Sequence, residues 1–213
     1  MDCIVPAAGS SRRMGAPKQA MELDGRPLLA IAVEHALQVC SRCIVVTGAN
    51  HAPVQEVIPQ RAGVHEVYNP DYQQGMLSSI AMGARYVHTP WFFVAPADMP
   101  RLFPSLYRSL LEVAREYDQD SGPASIFPVY QGMRGHPVLV SRRVVPDLLR
   151  LTSEYRTMRD FLGRYDSLDV AVSEVGITVD IDTPNDIASA EDTRGKRHEQ
   201  YEPKQSVEET DRH

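Results

Sequence analysis

The stretch IVPAAGSSRRMGAPKQ, residues 4–19, holds the first side chains whose types and spacing could do chemistry. An apolar run ends in Ala7 and Ala8. Gly9 and Gly15 then let the backbone approach a ligand closely and adopt positive φ. Ser10 and Ser11 are small donors, and successive backbone N–H groups in such a loop form an anion-binding nest. Arg12, Arg13 and Lys18 supply positive charge, the arginines with bidentate geometry. One reading is a loop that wraps a polyphosphate. The plainer reading is a surface turn with solvated charge. The spacing is not a P-loop, because Lys18 is followed by Gln19 rather than Ser or Thr. Nor does it form G-x-G-x-x-G, which disfavours a dinucleotide fold.

Two acidic stretches bear on that choice. In WFFVAPADMP, residues 91–100, Asp98 follows an apolar strand and either caps the next helix or binds a metal. Pro100 and Pro104 stand before the helix expected from Ser105, so capping is the less natural reading, and Mg²⁺ suits a carboxylate beside a phosphate loop. In VDIDTPNDI, Asp180 and Asp182 alternate with Val179 and Ile181, placing both carboxylates on one side of a strand. Like charges there repel unless a cation intervenes. Capping competes again, with Asp182 or Thr183 as N-cap, Pro184 at the first helical position and Asp186 near the third. A cationic glycine-bearing loop with two strand-end aspartates is what nucleotidyl transfer needs: a held triphosphate, neutralised charge and an in-line acceptor oxygen.

The elements that must position these groups alternate. Residues 2–8 read as a strand buried on both faces. PLLAIAVEHALQVC from Pro27 has helical spacing, CIVVTGAN is a strand, APVQEVIPQR a short helix and HEVYNP a strand. Residues 76–86 are helical and 91–100 extended. Residues 105–117 form a helix with Leu106, Leu110, Val113 and Tyr117 on one stripe. ASIFPVYQG and VLVS are strands, 144–150 and 157–163 are helical, LDVAVSEVGITVDID is extended, and 185–190 is a last helix. Such alternation implies βαβ units. The expected fold is α/β: a three-layer, mainly parallel Rossmann-like sheet. Around 124–140 strands follow one another without a helix, predicting a hairpin or antiparallel insertion. Ligands of such sheets bind beyond the carboxyl ends of the strands, where all three unusual loops lie.

Bulk properties exclude other functions. A net charge of −6 over 213 residues does not suit wrapping nucleic acid. No apolar run approaches the roughly 20 residues of a membrane span. Met1-Asp2-Cys3 runs straight into a strand, so no signal peptide and a cytoplasmic location are expected. Cys40 and Cys43 make a C-x-x-C without a completing pair or histidine, and with Cys3 they are expected as buried free thiols. Residues 1–190 are read as one domain, and 191–213, polar and aperiodic, as a flexible tail.

VPAAGSSRRMGAPK, QGMLSSIAMG, PADMP, RGHP and DIDTP, in that order, resemble the signatures of the molybdenum cofactor nucleotidyltransferases, within the nucleotide-diphospho-sugar transferase-like superfamily. The resemblance runs from residue 2 to 190. It implies that the phosphate of a pterin attacks the α-phosphorus of a nucleoside triphosphate and pyrophosphate leaves. It implies that Arg13, Lys18 and Asp98 are catalytic and that Asp98 and Asp182 hold Mg²⁺. Nucleotide binding falls to Ala7, Ala8, Gly9, Ser10, Ser11, Arg12, Arg13, Lys18, Gly75, Ser78, Ser79 and Asp98. Ala7-Ala8-Gly9 resembles the cytidylyl branch and so favours CTP; physically, a methyl at Ala8 leaves less room beside the base, which suits a pyrimidine. The cytidylyl enzymes' G-D-x-G-A-R segment is replaced by TSEYRTMRDFL. On that acceptor side, Arg156 and Arg159 either touch an acceptor phosphate or decorate a helix, and His136 either touches acceptor or satisfies a turn.

The leading expectation is therefore a Mg²⁺-dependent transferase moving CMP from CTP onto molybdopterin. One alternative is a transferase of the same fold that uses a sugar or polyol phosphate, or GTP. Another is a non-catalytic nucleotide- or cofactor-binding module. A molybdoenzyme or delivery partner fits the first and the last.

Overall fold

In the computed structural model, which describes residues 1–10, 17–118, 121–151, 154–181 and 186–187, the first apolar run forms β1, Asp2–Pro6, buried along its whole length. A two-stranded antiparallel pair follows, β2, Glu22–Leu23, and β3, Arg26–Pro27, turned by Asp24 and Gly25 at positive φ. Asp-Gly between short extended pieces is a hairpin signal. The chain then alternates: α1, Leu28–Leu37; β4, Arg42–Thr47; α2, His51–Glu56; β5, Val64–Tyr68; α3, Met76–Ala84; β6, Trp91–Val94; α4, Pro104–Ala114. After it come β7, Ser125–Tyr130, β8, Met133–Arg134, and β9, Val138–Ser141, then α5, Val145–Leu151, α6, Met158–Leu162, and β10, Ser167–Ala171.

The main sheet has the order β10-β7-β9-β6-β1-β4-β5, with β8 paired to β7. The pairs β1–β4, β1–β6, β4–β5 and β7–β10 are parallel. β9 is antiparallel to β6 and β7, and β8 to β7, which is the expected insertion. Alternate residues of β1 feed two cores: Cys3 and Val5 pack with α1 and α4, Ile4 with α3, α5 and α6. That alternation produces the three layers. Among the described residues no helix is long and apolar enough to cross a membrane.

Three readings need correction. LDVAVSEVGITVDID is extended only through Ala171; Val175–Thr178 forms a 3-10 turn, and Asp180 does not lie on a strand. The apolar alternation misleads because Ile177 and Ile181 are buried, while Val175 and Val179 are exposed. Gly176 also packs too tightly against Arg101 for a side chain, since an added Cβ would lie 2.8 Å from the Arg101 Cβ. The α4 stripe is Leu106, Tyr107, Leu110 and Ala114, and Tyr117 lies past the helix end, exposed. The strand at Trp91 stops at Val94. The helix expected over 185–190 and the tail over 191–213 fall almost wholly outside the described residues.

The three cysteines are free and buried. Hydrogen bonding from Cys3 to Cys40 and Cys43, then burial, pushes the Cys3 thiol well above its ordinary range, so it stays neutral.

Asp2 anchors the opposite end of the sheet from the strand-end loops. It is buried, and Arg42 donates to it through Nε and Nη2 at 3.0 and 2.8 Å. The His88 and Thr89 amides add donors at 2.7 and 3.1 Å. Burial pushes this carboxyl up, but the Arg42 hydrogen bond, the two amides and the Arg42 charge outweigh it and bring the pKa down from 3.8 to about 2. A depressed folded pKa means the stabilisation is complete above the unfolded value and disappears as pH falls toward the folded one. That depression corresponds to roughly 2–3 kcal/mol. Asp2→Asn should therefore lower stability in urea melts by about 2 kcal/mol at neutral pH and flatten its fall between about pH 5 and 2. An unchanged acid limb would assign the acid sensitivity to other carboxylates.

Candidate active site

The first loop leaves β1 pinned to its neighbour. The Ala7 amide donates to the Val46 carbonyl at 2.8 Å, and the Ala8 carbonyl accepts from the Ala49 amide at 3.2 Å. Asn50 Nδ2 donates to the Gly9 carbonyl at 3.2 Å. Ala7 and Ala8 are buried, while Gly9 and Ser10 are exposed at the sheet's edge. Gly48 is demanded by this closeness: a Cβ there would lie 2.7 Å from both the Ala8 and Tyr72 Cβ atoms. Ser11, Arg12 and Arg13 lie outside the described residues.

Ala8, Gly9, Ser10, Tyr72, Gly75 and Ser79 share a pocket of about 630 Å³. Its far wall hangs on Asn69. Buried Asn69 Nδ2 donates to Ser78 Oγ and Ser79 Oγ, 3.0 Å each, and its Oδ1 accepts from the Asp71 amide at 3.0 Å. Ser78 donates to the Gly75 carbonyl at 2.8 Å. Ser79 faces the pocket, whereas the Ser78 hydroxyl holds the loop. Gly75 sits at φ 101°, ψ −178°, a conformation essentially reserved to glycine. The Asn69-Pro70 pair reads in sequence only as a strand stop, so the polar hub at Asn69 escapes notice. Asn50, Gly48 and Tyr72 likewise carry no local signal, because their roles depend on β4 and α3 standing beside β1.

Lys18 returns from the first loop on a 3-10 turn, Lys18–Ala20, and Asp98 follows β6. Lys18 Nζ lies 2.8 Å from Asp98 Oδ2, with the side chains only 12% and 27% exposed. Asp98 caps nothing: α4 begins with Phe103 as N-cap and Pro104 in its first turn, without a side-chain cap. Instead the Asp98 carbonyl accepts from the Ile181 amide at 3.0 Å, tying the turn after β6 to the segment that precedes Asp182. Asp182 itself lies outside the described residues.

Asp98 also lines a second cleft, of about 720 Å³, with His136, Arg159 and Asp180. Met76 lines both spaces, so they meet at the start of α3. Gly135 admits the 175–178 turn, since a Cβ there would stand 2.2 Å from the Ile177 carbonyl oxygen. Burial pulls the His136 imidazole below its ordinary value; Arg159 adds to this, against the Val94 carbonyl and the Asp98 charge. The ring is therefore neutral at pH 7, and its Nδ1 is buried without a partner among the described residues. Arg156 is exposed and does not line the cleft. Of the three acceptor-side candidates, His136 and Arg159 thus share the cleft with Asp98.

Residues 3–169 match the family described as the MobA-like NTP transferase domain. The chain is 32% identical over 192 residues to the molybdenum cofactor cytidylyltransferase of Escherichia coli (strain K12), covering 90% of this chain and 96% of that one. It is 26% identical over 184 residues to a probable molybdenum cofactor guanylyltransferase of Bacillus mycoides (strain KBAB4), covering 83% and 86%. Rv0371c from Mycobacterium tuberculosis H37Rv superposes with a TM-score of 0.74 at 22% identity, covering 90% and 97%. Its manganese complex superposes at 0.69 and 20%, covering 90% and 98%. The chain is a nucleotidyltransferase and belongs to the MobA-like NTP transferase domain family.

Proposed function

We propose that the protein moves CMP from CTP onto the phosphate of molybdopterin. An acceptor phosphate oxygen attacks the α-phosphorus, a new P–O bond forms, and the bond to the departing pyrophosphate breaks. The observation that carries this reading is the meeting of Lys18 and Asp98 at 2.8 Å beside the 720 Å³ cleft. A cation from the phosphate loop and a carboxylate from a separate strand end converge where two ligand spaces adjoin.

In this reading the Gly9 and Ser10 backbone, Arg12, Arg13 and Lys18 hold the triphosphate, and Ser79 and Gly75 border the nucleoside. Ala8, wedged beside Gly48 and Tyr72, narrows the pocket toward a pyrimidine. The cytidylyltransferase relative from E. coli supports CTP, while the guanylyltransferase relatives support GTP as the second reading.

The donor set suits magnesium. Asp98 and Asp180 bring two carboxylates to one cleft. Magnesium is held by one or two carboxylates plus substrate phosphates rather than by an all-protein cage. Asp98 and Asp182 would hold it, and it would neutralise charge developing on the phosphate oxygens. The manganese complex of the solved relative supports a divalent ion. The chain's own groups bind, orient and screen the phosphates.

Pyrophosphate release from CTP and GTP, each with molybdopterin, a sugar phosphate or a polyol phosphate, tests the assignment. Release is expected with CTP and molybdopterin, with Mg²⁺ present. Equal use of GTP would overturn the base assignment, and release only with another phosphate would overturn the acceptor.

A further inference from the structure

Accepting the 720 Å³ cleft as the acceptor side, two further residues give it a shaped end. Arg134, on β8, and Asp169, on β10, both line it. The guanidinium is fixed in three ways. Nε lies 2.7 Å from Asp169 Oδ1, Nη2 donates to Ser167 Oγ at 2.9 Å, and the group sits 4.5 Å over the centroid of buried Phe127. Phe127 thus backs the guanidinium of a residue that lines the cleft.

A surface ion pair joining two edge strands would need none of this, and such pairs contribute little. Here the guanidinium packs over an aromatic ring and the pair lines a concavity. A planar guanidinium stacks well on a second π-system. Asp169 is half exposed, at 49%, and among the described residues no donor reaches its Oδ2. A carboxylate oxygen in that state is an acceptor for N–H groups. Exposed Met133 adds a polarisable thioether at the same end. β10 stands three strands from β6, which leads to Asp98. Three strand spacings are roughly 14 Å. One cleft thus has a phosphate end and a flat, hydrogen-bonding end.

Resting on the proposed transfer to molybdopterin, we propose that Arg134 and Asp169 seat the acceptor's pterin ring by its π face and its amino-amide edge. The ring stacks on the guanidinium, its N–H edge donates to Asp169 Oδ2, and the phosphate tethered to it reaches Asp98. Arg134 and Asp169 determine acceptor specificity and take no part in bond making.

The test uses the full chain, with Arg134→Lys, which keeps charge but removes the plane, and Asp169→Asn, which keeps volume but replaces an acceptor oxygen. Two readouts are compared: steady-state KM values with CTP and molybdopterin, and fluorescence titration with free pterin, which stacking quenches. Each variant should raise the acceptor KM and weaken pterin binding about tenfold. The KM for CTP and the thermal midpoint should stay near wild type. Unchanged acceptor KM and pterin binding would overturn the ring seat while leaving the transfer to molybdopterin standing. Equal shifts in both KM values would also overturn it, by showing a merely structural pair. If the wild type turns over no molybdopterin, the proposed acceptor fails, and the pterin titration decides the seat alone: no saturable quenching overturns it.

Discussion

Asp98→Asn is expected to lower kcat by about a thousandfold, because a carboxylate that holds a metal contributes several kcal/mol of charge stabilisation. The substitution keeps the volume and removes the charge. The fold should tolerate it. The Asp98 carbonyl, which accepts from the Ile181 amide, is untouched, and an amide oxygen still accepts from Lys18 Nζ. The ion pair is partly open to water, so its loss is worth about 1 kcal/mol or less. For a chain of this length that moves the thermal midpoint by roughly 2–4 °C. A further sign separates this account from a structural one. Without metal, Asp98 repels a triphosphate, so Asp98→Asn should bind CTP more tightly than wild type in chelator and less tightly in magnesium. A variant that is inactive and unfolded would make Asp98 structural. One that keeps its activity would move the metal to other carboxylates.

What was legible in the sequence was local. The first loop announces itself because glycines, serines and cations stand side by side, and Asp98 because it ends a run of Trp, Phe, Phe and Val. The strands β1, β4 and β6 are uninterrupted apolar runs, and the antiparallel insertion shows as strands without a helix between them. What escaped depends on distant partners. Arg134 and Asp169 are separated by two helices, and only the placement of β10 against β7 brings them over Phe127. Asn69 looks like a turn residue until α3 brings Ser78 and Ser79 to it. The misreading of residues 172–181 has the converse cause. Alternating apolar residues predict a strand only where a partner covers one face, and here Val175 and Val179 are exposed while Ile177 and Ile181 enter separate cores. Asp180 lines the cleft with Asp98, yet it does not lie on a strand.

Lys18→Ala should change two affinities in opposite directions, which is why it probes the site more sharply than a loss of activity can. Lys18 serves Asp98 in this structure and, in the proposed reaction, the triphosphate. A charge-assisted hydrogen bond to phosphate is worth about 1.5–3 kcal/mol, so the Kd for CTP with magnesium should rise roughly 10- to 100-fold. Binding of Mn²⁺ in the absence of nucleotide should instead tighten several-fold, because the ammonium 2.8 Å from Asp98 Oδ2 competes for the same oxygen and repels the ion. Calorimetry with Mn²⁺ and then with CTP reads both. Unchanged CTP affinity would reduce Lys18 to a partner for the carboxylate. Unchanged Mn²⁺ affinity would place the metal away from Asp98 and take the carboxylate out of the mechanism. With both shifts present, Lys18 and Asp98 act as an exchange: the pair opens when metal takes the carboxylate and phosphate takes the ammonium. The charge of each incoming group is then met by a partner that the other has just released.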